Sequence, residues 1–340
     1  MRWRKWWRLS RTTRTARRAT QTVRRTIAAY DLLPRGTRMV IGVSGGADSM
    51  MLLDTLRRMA ARRSWHIIVA HVHYGIRRRA NRDRNCVQRY CERHALPFYV
   101  HDIHAENHPH DEAWMRTERY EFFARIANRC QATHLVVGHT RDDRVETLLL
   151  HLLRGTAHGG GLPYRRREGP YTVVRPLLDC TRVQTHRYCY ERDVPYVTDK
   201  TNRDTRYRRN HIRHRLLPFL RTHYGSSVDQ ILSRAAMILQ EDAQYLYDMA
   251  RRAVPHHPTA DGIEFSAAEF RIQHSTIQRA FIRYIAHRCG VFAPGASATE
   301  LLCHAASGTR RAMVTIRTRS LLLVRKGDKV SVSRTKLSTR

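Results

Sequence analysis

Between Arg38 and about Pro218, short apolar runs alternate with stretches of helical length and period, and this alternation restricts the chain more than any other feature. Met39-Val-Ile-Gly-Val43 reads as a buried strand. Ser49 to about Arg62 reads as a helix, with Met50, Leu53, Leu56 and Met59/Ala60 on one face. His66–Val72 is the next strand, Asn81–His94 a polar helix, Phe98–Ile103 a third strand and Glu112–Arg129 a helix. His134–Val137 and Arg141–Leu153 supply a fourth strand and its helix. Short apolar strands separated by helices of this length imply an α/β fold, with a parallel sheet covered on both faces.

After His223 the texture changes. Val228 to about Arg252 is one long amphipathic helix, with Val228, Ile231/Leu232, Ala235, Ile238/Leu239 and Leu246/Met249 three or four residues apart. Pro255 and Pro258 stop it. Helical patterns recur at Thr276–Arg288 and Thr299–Ala306, followed by strand-like runs at Met313–Ile316 and Leu321–Val324. At 340 residues about two domains are expected. The division read here is a basic arm over 1–22, the α/β domain over 23–224, a smaller, mostly helical C-terminal domain over 225–330, and a loose tail over 331–340.

Charge narrows the class of partner. Lys plus Arg number 62 against 29 Asp plus Glu, a net charge of +33. Such a surface repels itself unless a polyanion screens it, and nucleic acid does so with release of counterions. The alternative is an Arg-rich surface with no partner of its own. No apolar run approaches the roughly 18 residues of a membrane span. Before Asp31 there is no acidic residue, and Trp3, Trp6 and Trp7 lie among arginines. That arm resembles an organellar transit peptide in composition, or else it faces RNA, or is merely solvated. The seven cysteines are scattered and form no CxxC pair, so no zinc ribbon or cluster framework is indicated. They are most simply buried or free thiols in a reducing cytoplasm.

The strongest local signal is Ser44-Gly45-Gly46-Ala47-Asp48-Ser49, which follows a strand directly and opens a helix directly. Paired glycines allow close approach, and the N–H groups of the turn and helix start form an anion cradle. No Lys-Ser/Thr pair follows, so this is not a Walker A loop. Val43–Ser49 resembles the pyrophosphate loop of the N-type ATP-pyrophosphatases, whose fold is a doubly wound parallel sheet of the adenine nucleotide alpha hydrolase-like kind. The resemblance implies ATP over Ser44, Gly45, Gly46, Ala47, Asp48 and Ser49, at the carboxyl ends of the strands.

Three further segments resemble the tRNA(Ile)-lysidine synthetases within that superfamily. Glu112-Ala-Trp-Met-Arg-Thr-Glu-Arg-Tyr120 is similar to their E-x-x-A-R-x-x-R-Y helix, with Met115 for the usual Ala. Arg116 and Arg119 share a helix face there, to meet phosphate or the anticodon loop, or only water. Gly138-His-Thr-Arg-Asp-Asp-Arg-Val-Glu-Thr147, with Arg154-Gly155-Thr156 and Gly159-Gly-Gly-Leu162 after it, is similar to the family's H-x-x-D-D-Q-x-E-T…R-G stretch. Arg144 stands where Gln is usual, adding a cation beside the acids. The third segment runs through Arg175-Pro-Leu-Leu178, Pro195-Tyr-Val-Thr-Asp199, Asn202 and Arg209-Asn-His-Ile-Arg-His-Arg-Leu-Leu-Pro218.

What the resemblance implies is a ligase. Its substrate is the isoleucine tRNA with a CAU anticodon, and its co-substrates are ATP and L-lysine. The oxygen on carbon 2 of the wobble cytidine attacks the α-phosphorus, pyrophosphate leaves, and the lysine ε-amine then displaces AMP. Mg²⁺ is expected near Asp48 and Asp143, because departing pyrophosphate builds charge. Asp143 and Glu146 are the candidates for holding the lysine cation or taking its proton. His139, Arg116, Arg119 and Arg209 complete the expected catalytic set. Tyr74, Tyr120 and Arg119 are weaker candidates for cradling the unstacked base. The small basic C-terminal domain is expected to grip the tRNA acceptor stem or arm. A tRNA-thiolating relative is the alternative, although such relatives use paired cysteines.

Overall fold

The computed structural model describes residues 3–74, 80–103, 112–155, 161–198, 208–260, 262–291, 294–309, 313–318 and 320–335; the side chains of 3–13, 80, 112 and 113 are outside that description. Asp199, Asn202, Thr156 and Gly159 from the motifs above therefore fall outside it, as does the tail from residue 336. The chain forms two compact units, one of Met1–Val145 with Pro163–Asp229, the other of Glu146–Leu162 with Gln230–Arg340.

The first unit is the expected α/β layer structure. Its elements are α1 (Trp3–Ala29), β1 (Arg38–Gly42), α2 (Ala47–Arg63), β2 (His66–His73), α3 (Ala80–Arg93), β3 (Phe98–Asp102), α4 (Glu112–Arg129), β4 (His134–Val137) and α5 (Arg141–Leu153), the helix in which the division between units falls. They continue with β5 (Arg165–Glu168), β6 (Tyr171–Val174), α6 (Arg182–Glu191), α7 (Arg208–His211), a π-helical turn (Ile212–Leu216) and α8 (Leu217–Tyr224). The strands lie in the order β3-β2-β1-β4-β6-β5. All neighbours are parallel except β5, which pairs antiparallel with β6 as an edge hairpin. That hairpin escaped the sequence reading because β5 is Arg-Arg-Arg-Glu, a solvated edge without apolar alternation.

Alternation along β1 explains why both faces are covered. Val40 joins Ile68, Leu135, Phe122, Phe123 and Ile126 in one cluster, and a Cβ on Gly42 would strike the Phe123 ring at 2.5 Å. Met39 and Ile41 point the other way and are also fully buried. Residues 14–22 are not a separate arm. α1 continues through residue 22, and Ala16, Ala19 and Val23 are fully buried on it. It packs against α6, where the Ala16 N–H donates to Glu191 at 2.7 Å, and the Thr26 hydroxyl donates to Asp179, ahead of that helix, at 2.6 Å. The small-residue stripe Ala16-Ala19-Val23 is a helix face hidden by the arginines around it. Trp3, Trp6 and Trp7 lie on α1 with side chains outside the described residues.

The second unit holds α9 (Val228–Ala253) from Gln230 onward, β7 (His256–Pro258), β8 (Gly262–Ser266), α10 (Ala267–Arg271), α11 (Ser275–Arg288), α12 (Ala296–Ser307), β9 (Val314–Arg317), β10 (Leu321–Lys326) and β11 (Lys329–Arg334). Its strands make an antiparallel sheet of order β7-β8-β11-β10-β9, so helix and sheet share this unit rather than helix dominating it. The core is Phe265, Phe270, Phe281, Ile282, Ile285 and Leu302 with Leu321, Leu323, Val330 and Val332. Residues 331–334, read as loose, belong to a core strand, because Lys-Val-Ser-Val-Ser-Arg alternates with Val inward. No described helix is long and apolar enough to cross a membrane.

Candidate functional site

The chain leaves β1 at Gly42 and enters α2 at Ala47 through the turn that carries Ser44, Gly45 and Gly46. Gly45 has φ +88°, and a Cβ there would lie 3.2 Å from the Asp83 backbone, so conformation and space both demand glycine. Gly46 caps α2 without a side-chain hydrogen bond, which leaves the first N–H groups of the helix to a ligand. The Ser49 hydroxyl accepts from the Ser44 N–H at 3.1 Å and donates to the Gly46 carbonyl at 3.0 Å, closing the turn from inside. The Val197 N–H donates to the Gly45 carbonyl at 2.9 Å and ties it from outside. Gly138, just beyond β4, would place a Cβ 3.2 Å from Ser49, so the end of β4 lies directly against the turn. β1 has β2 on one side and β4 on the other. The carboxyl ends of β1 and β4 thus flank the point where strand order reverses, the crevice in which open α/β sheets bind ligands.

Two carboxylates meet at that point. Asp48, on the first turn of α2, accepts from the Thr185 hydroxyl. Burial pushes its carboxyl up to about 6, and the negative charge of Asp143 adds to the rise. Asp143 lies on the first turn of α5 and accepts from the Thr140 N–H at 2.8 Å and hydroxyl at 2.9 Å. Burial alone would raise it, but Arg209, Arg182 and the Thr140 N–H override that and hold it near 2. Arg182 stands between the two acids, 3.7 Å from Asp48 and 3.0 Å from Asp143. Arg209 at 3.5 Å and Arg213 at 3.9 Å approach the same Asp143 oxygen. One anionic pair is therefore approached by three guanidiniums from two separate chain segments, an arrangement suited to a polyanion that carries its own cation.

The pair also suits Mg²⁺. Among the described residues no group of three or more protein ligands converges. Mg²⁺ bound with substrate phosphates uses one or two carboxylates, not a cage. Asp48 is held protonated at acid pH partly by the charge of Asp143, a repulsion that a divalent cation between them removes.

The remaining expected residues divide. His139 follows the end of β4, and burial together with Arg175 pushes its imidazole down to about 3, so it is neutral at physiological pH. Its buried Nδ1 finds no hydrogen-bond partner among the described residues. Arg116 is near enough to depress both His139 and Arg175, and its guanidinium lies 4.9 Å from the centre of the Tyr120 ring. Arg119 turns instead to Tyr74, donating to its hydroxyl at 3.0 Å, while Tyr74 donates to the Met115 carbonyl. Glu146 is fully buried on α5. Arg144 reaches Tyr164 and Asp179. It is buried with its guanidinium 4.4 Å above the Tyr164 ring, 4.0 Å from Asp179, and the Tyr164 hydroxyl donates to Asp179 at 2.6 Å. The helical turn that separates residue 144 from residue 143 by about 100° sends the two side chains to different neighbourhoods.

Two site residues escaped the sequence reading. Arg182 and Thr185 come from α6, which opens on a capping box of Thr181 and Gln184. They reach Asp48 across more than a hundred residues of chain. The Thr-x-x-Gln signature was the only local sign that a helix N-terminus lay there. All seven cysteines are free, and those at 91, 180, 189 and 303 are buried with thiols pushed up to about 12, which makes them inert.

Comparison with known proteins agrees with this geometry. A family model described as a PP-loop domain matches residues 12–220, so the α/β unit is a PP-loop domain of the ATP-binding type. The tRNA(Ile)-lysidine synthase of Thermosynechococcus vestitus is 34% identical over 260 residues, covering 74% of this chain and 75% of that protein. The tRNA(Ile)-lysidine synthase of Gloeobacter violaceus is 38% identical over 226 residues, 66% of this chain and 69% of that one. The chain belongs to the tRNA(Ile)-lysidine synthase family. A U34-tRNA thiolase from Methanococcus maripaludis superposes with a TM-score of 0.56 at 14% identity, covering 68% of this chain and 80% of that chain, a likeness of fold alone.

Proposed function

We propose that this chain ligates L-lysine to carbon 2 of the wobble cytidine in the CAU-anticodon isoleucine tRNA, consuming ATP and releasing AMP and pyrophosphate. The observation that carries the reading is the turn of residues 44–49 at the strand-order reversal, with Asp48 and Asp143 joined by one guanidinium. Family membership supports the reaction, and the residue roles are inferred from position.

The N–H groups at Gly45–Ser49 hold the β,γ end of ATP, and the α-phosphorus then lies toward Asp143. Asp48 and Asp143 would hold Mg²⁺, which supplies charge neutralisation for departing pyrophosphate. Arg182, Arg209 and Arg213 stabilise the charge that grows on the phosphoryl oxygens. Arg116 and Arg119 position the tRNA, with Tyr74 and Tyr120 as stacking surfaces for the extruded base. His139 stays neutral and serves as a hydrogen-bonding wall, not as a proton donor. Asp143 and Glu146 are the groups we assign to the lysine ammonium and its proton. The compartment is the cytoplasm, where free thiols stay reduced.

The test is incubation of purified protein with ATP, Mg²⁺, labelled lysine and the CAU isoleucine tRNA. Label is expected in the tRNA with one AMP per lysine. Label-free tRNA under these conditions, or ATP-dependent sulfur transfer in its place, overturns the reading.

A further inference from the structure

α3 presents a basic face that the site above leaves unexplained. Arg82, Asn85, Cys86, Arg89 and Arg93 line one side of a cavity of about 450 Å³, and Asp193 and Pro195 line the other. Arg82, Arg89 and Arg93 are exposed, and among the described residues none of them makes an ion pair. The fourth arginine of this helix, Arg84, is taken up by Asp102 at 3.4 Å, and Glu92 accepts from Gln88 at 2.9 Å. The cavity thus faces three uncommitted guanidiniums against one carboxylate, Asp193.

Its position ties it to the reaction. The Asp83 backbone lies against Gly45, and Val197 donates to the Gly45 carbonyl. Both walls of the groove therefore start at the nucleotide turn and run outward from it. The spacing identifies the ligand. Residues 82, 89 and 93 share one helix face and span about 16 Å along it. Guanidiniums strung out in a line match successive phosphates of a strand, whereas a mononucleotide or a free phosphate requires them to converge on one point.

We propose that the α3 groove is a track for the phosphate backbone of the substrate tRNA, holding the strand that delivers the wobble base to the turn at 44–49. The inference rests on the proposed tRNA reaction. Arg82, Arg89 and Arg93 are positioning residues that set register and carry no base information. Tyr90 fixes the helix from beneath, its hydroxyl donating to Asp54 at 2.6 Å.

The test compares two reversals of equal charge, Arg89→Glu with Arg93→Glu, and Arg62→Glu with Arg63→Glu. The second pair is exposed at the far end of α2, near the start of β2 and away from the carboxyl rim. The groove reversal is expected to raise KM for tRNA at least about tenfold and to lower the salt dependence of tRNA binding by about two counterions. KM for ATP and kcat at saturating tRNA stay within about twofold, and Arg89→Lys with Arg93→Lys restores KM. The α2 reversal is expected to shift KM for tRNA by less than about twofold. Equal losses from both reversals mean a general field, and overturn the track. An unchanged KM for tRNA in the groove reversal also overturns it, and would leave the face to an acidic protein partner. If the wild-type chain labels tRNA and the groove reversal matches it, the track alone fails; if the wild-type chain labels no tRNA, the proposed function fails first.

Discussion

Two aspartates on one helix, Asp48 and Asp54, separate what the first turn of α2 does from what its middle does. Asp54 is 1% exposed, yet it accepts from Arg57, Arg58, Tyr90 and Tyr188 at 2.6–2.9 Å. Burial would raise its carboxyl, but the hydrogen bonds from Arg58, Tyr90 and Tyr188 bring it below the ordinary value. Asp48 is 26% exposed and, among the described residues, has Thr185 and the longer contact to Arg182. Its carboxyl rises to about 6. A buried acid with every lone pair satisfied is architecture, joining α2 to α3 and α6. A half-buried acid set against a second carboxylate, at the mouth of a crevice, is the one we propose for a ligand.

The largest effect that distinguishes the two is expected from Asp48→Asn. Lysine transfer should fall by about a thousandfold or more, by loss of a transition-state charge partner. The melting temperature should stay the same or rise, since a destabilised carboxylate is removed. Residual transfer above a tenth of wild type would erase the distinction. Asp54→Asn is expected to do the converse, costing about 3 kcal/mol in denaturant unfolding by leaving Arg57, Arg58 and two tyrosine hydroxyls short of an acceptor. That figure is taken at the low end because Arg57 and Arg58 are partly exposed. Activity per folded molecule should survive.

Acidity sharpens the comparison. A carboxyl raised on folding supports the native state while protonated, so the Asp48 contribution is present below its unfolded value of 3.8 and lost as pH rises through about 6. Asp54, lowered on folding, contributes above 3.8 and loses that contribution as pH falls. Unfolding curves between pH 4 and 6 should therefore flatten in Asp48→Asn and keep their slope in Asp54→Asn. Lysine transfer should rise through pH 6 in the wild type, with an inflection that moves to lower pH as Mg²⁺ is raised. The smallest effect belongs to Arg144→Gln, which installs the residue usual at that position. Loss of stacking on Tyr164 and of the contact with Asp179 should cost about 1 kcal/mol, with transfer within about threefold of wild type. A loss of transfer without loss of stability would return Arg144 to the catalytic corner.

The turn at 44–49 was legible because its whole logic is contiguous: strand, two glycines, acid, hydroxyl, helix. His139 and Asp143 were legible for the same reason, and the structure brings both to the rim where β4 ends. What gathers around Asp48 and Asp54 was not legible. Thr185 and Tyr188 are 137 and 134 residues away in sequence, and nothing in local period or composition links them to α2. The stacking of Arg144 on Tyr164 was not legible either, because the two lie 20 residues apart with no local pattern between them. The packed face of α1 was missed because the arginines around Ala16, Ala19 and Val23 dominated the composition. In the second unit, β7 and β8 are three and five residues long, too short for period to separate them from loop.

The corner at Asp143 draws on residues 48, 143, 182, 209 and 213, so its last member is synthesised long after its first. The corner is therefore complete only once segments far apart in the chain have packed together, so a truncation that ends before Arg209 removes two of its guanidiniums while leaving the turn at 44–49 intact in sequence.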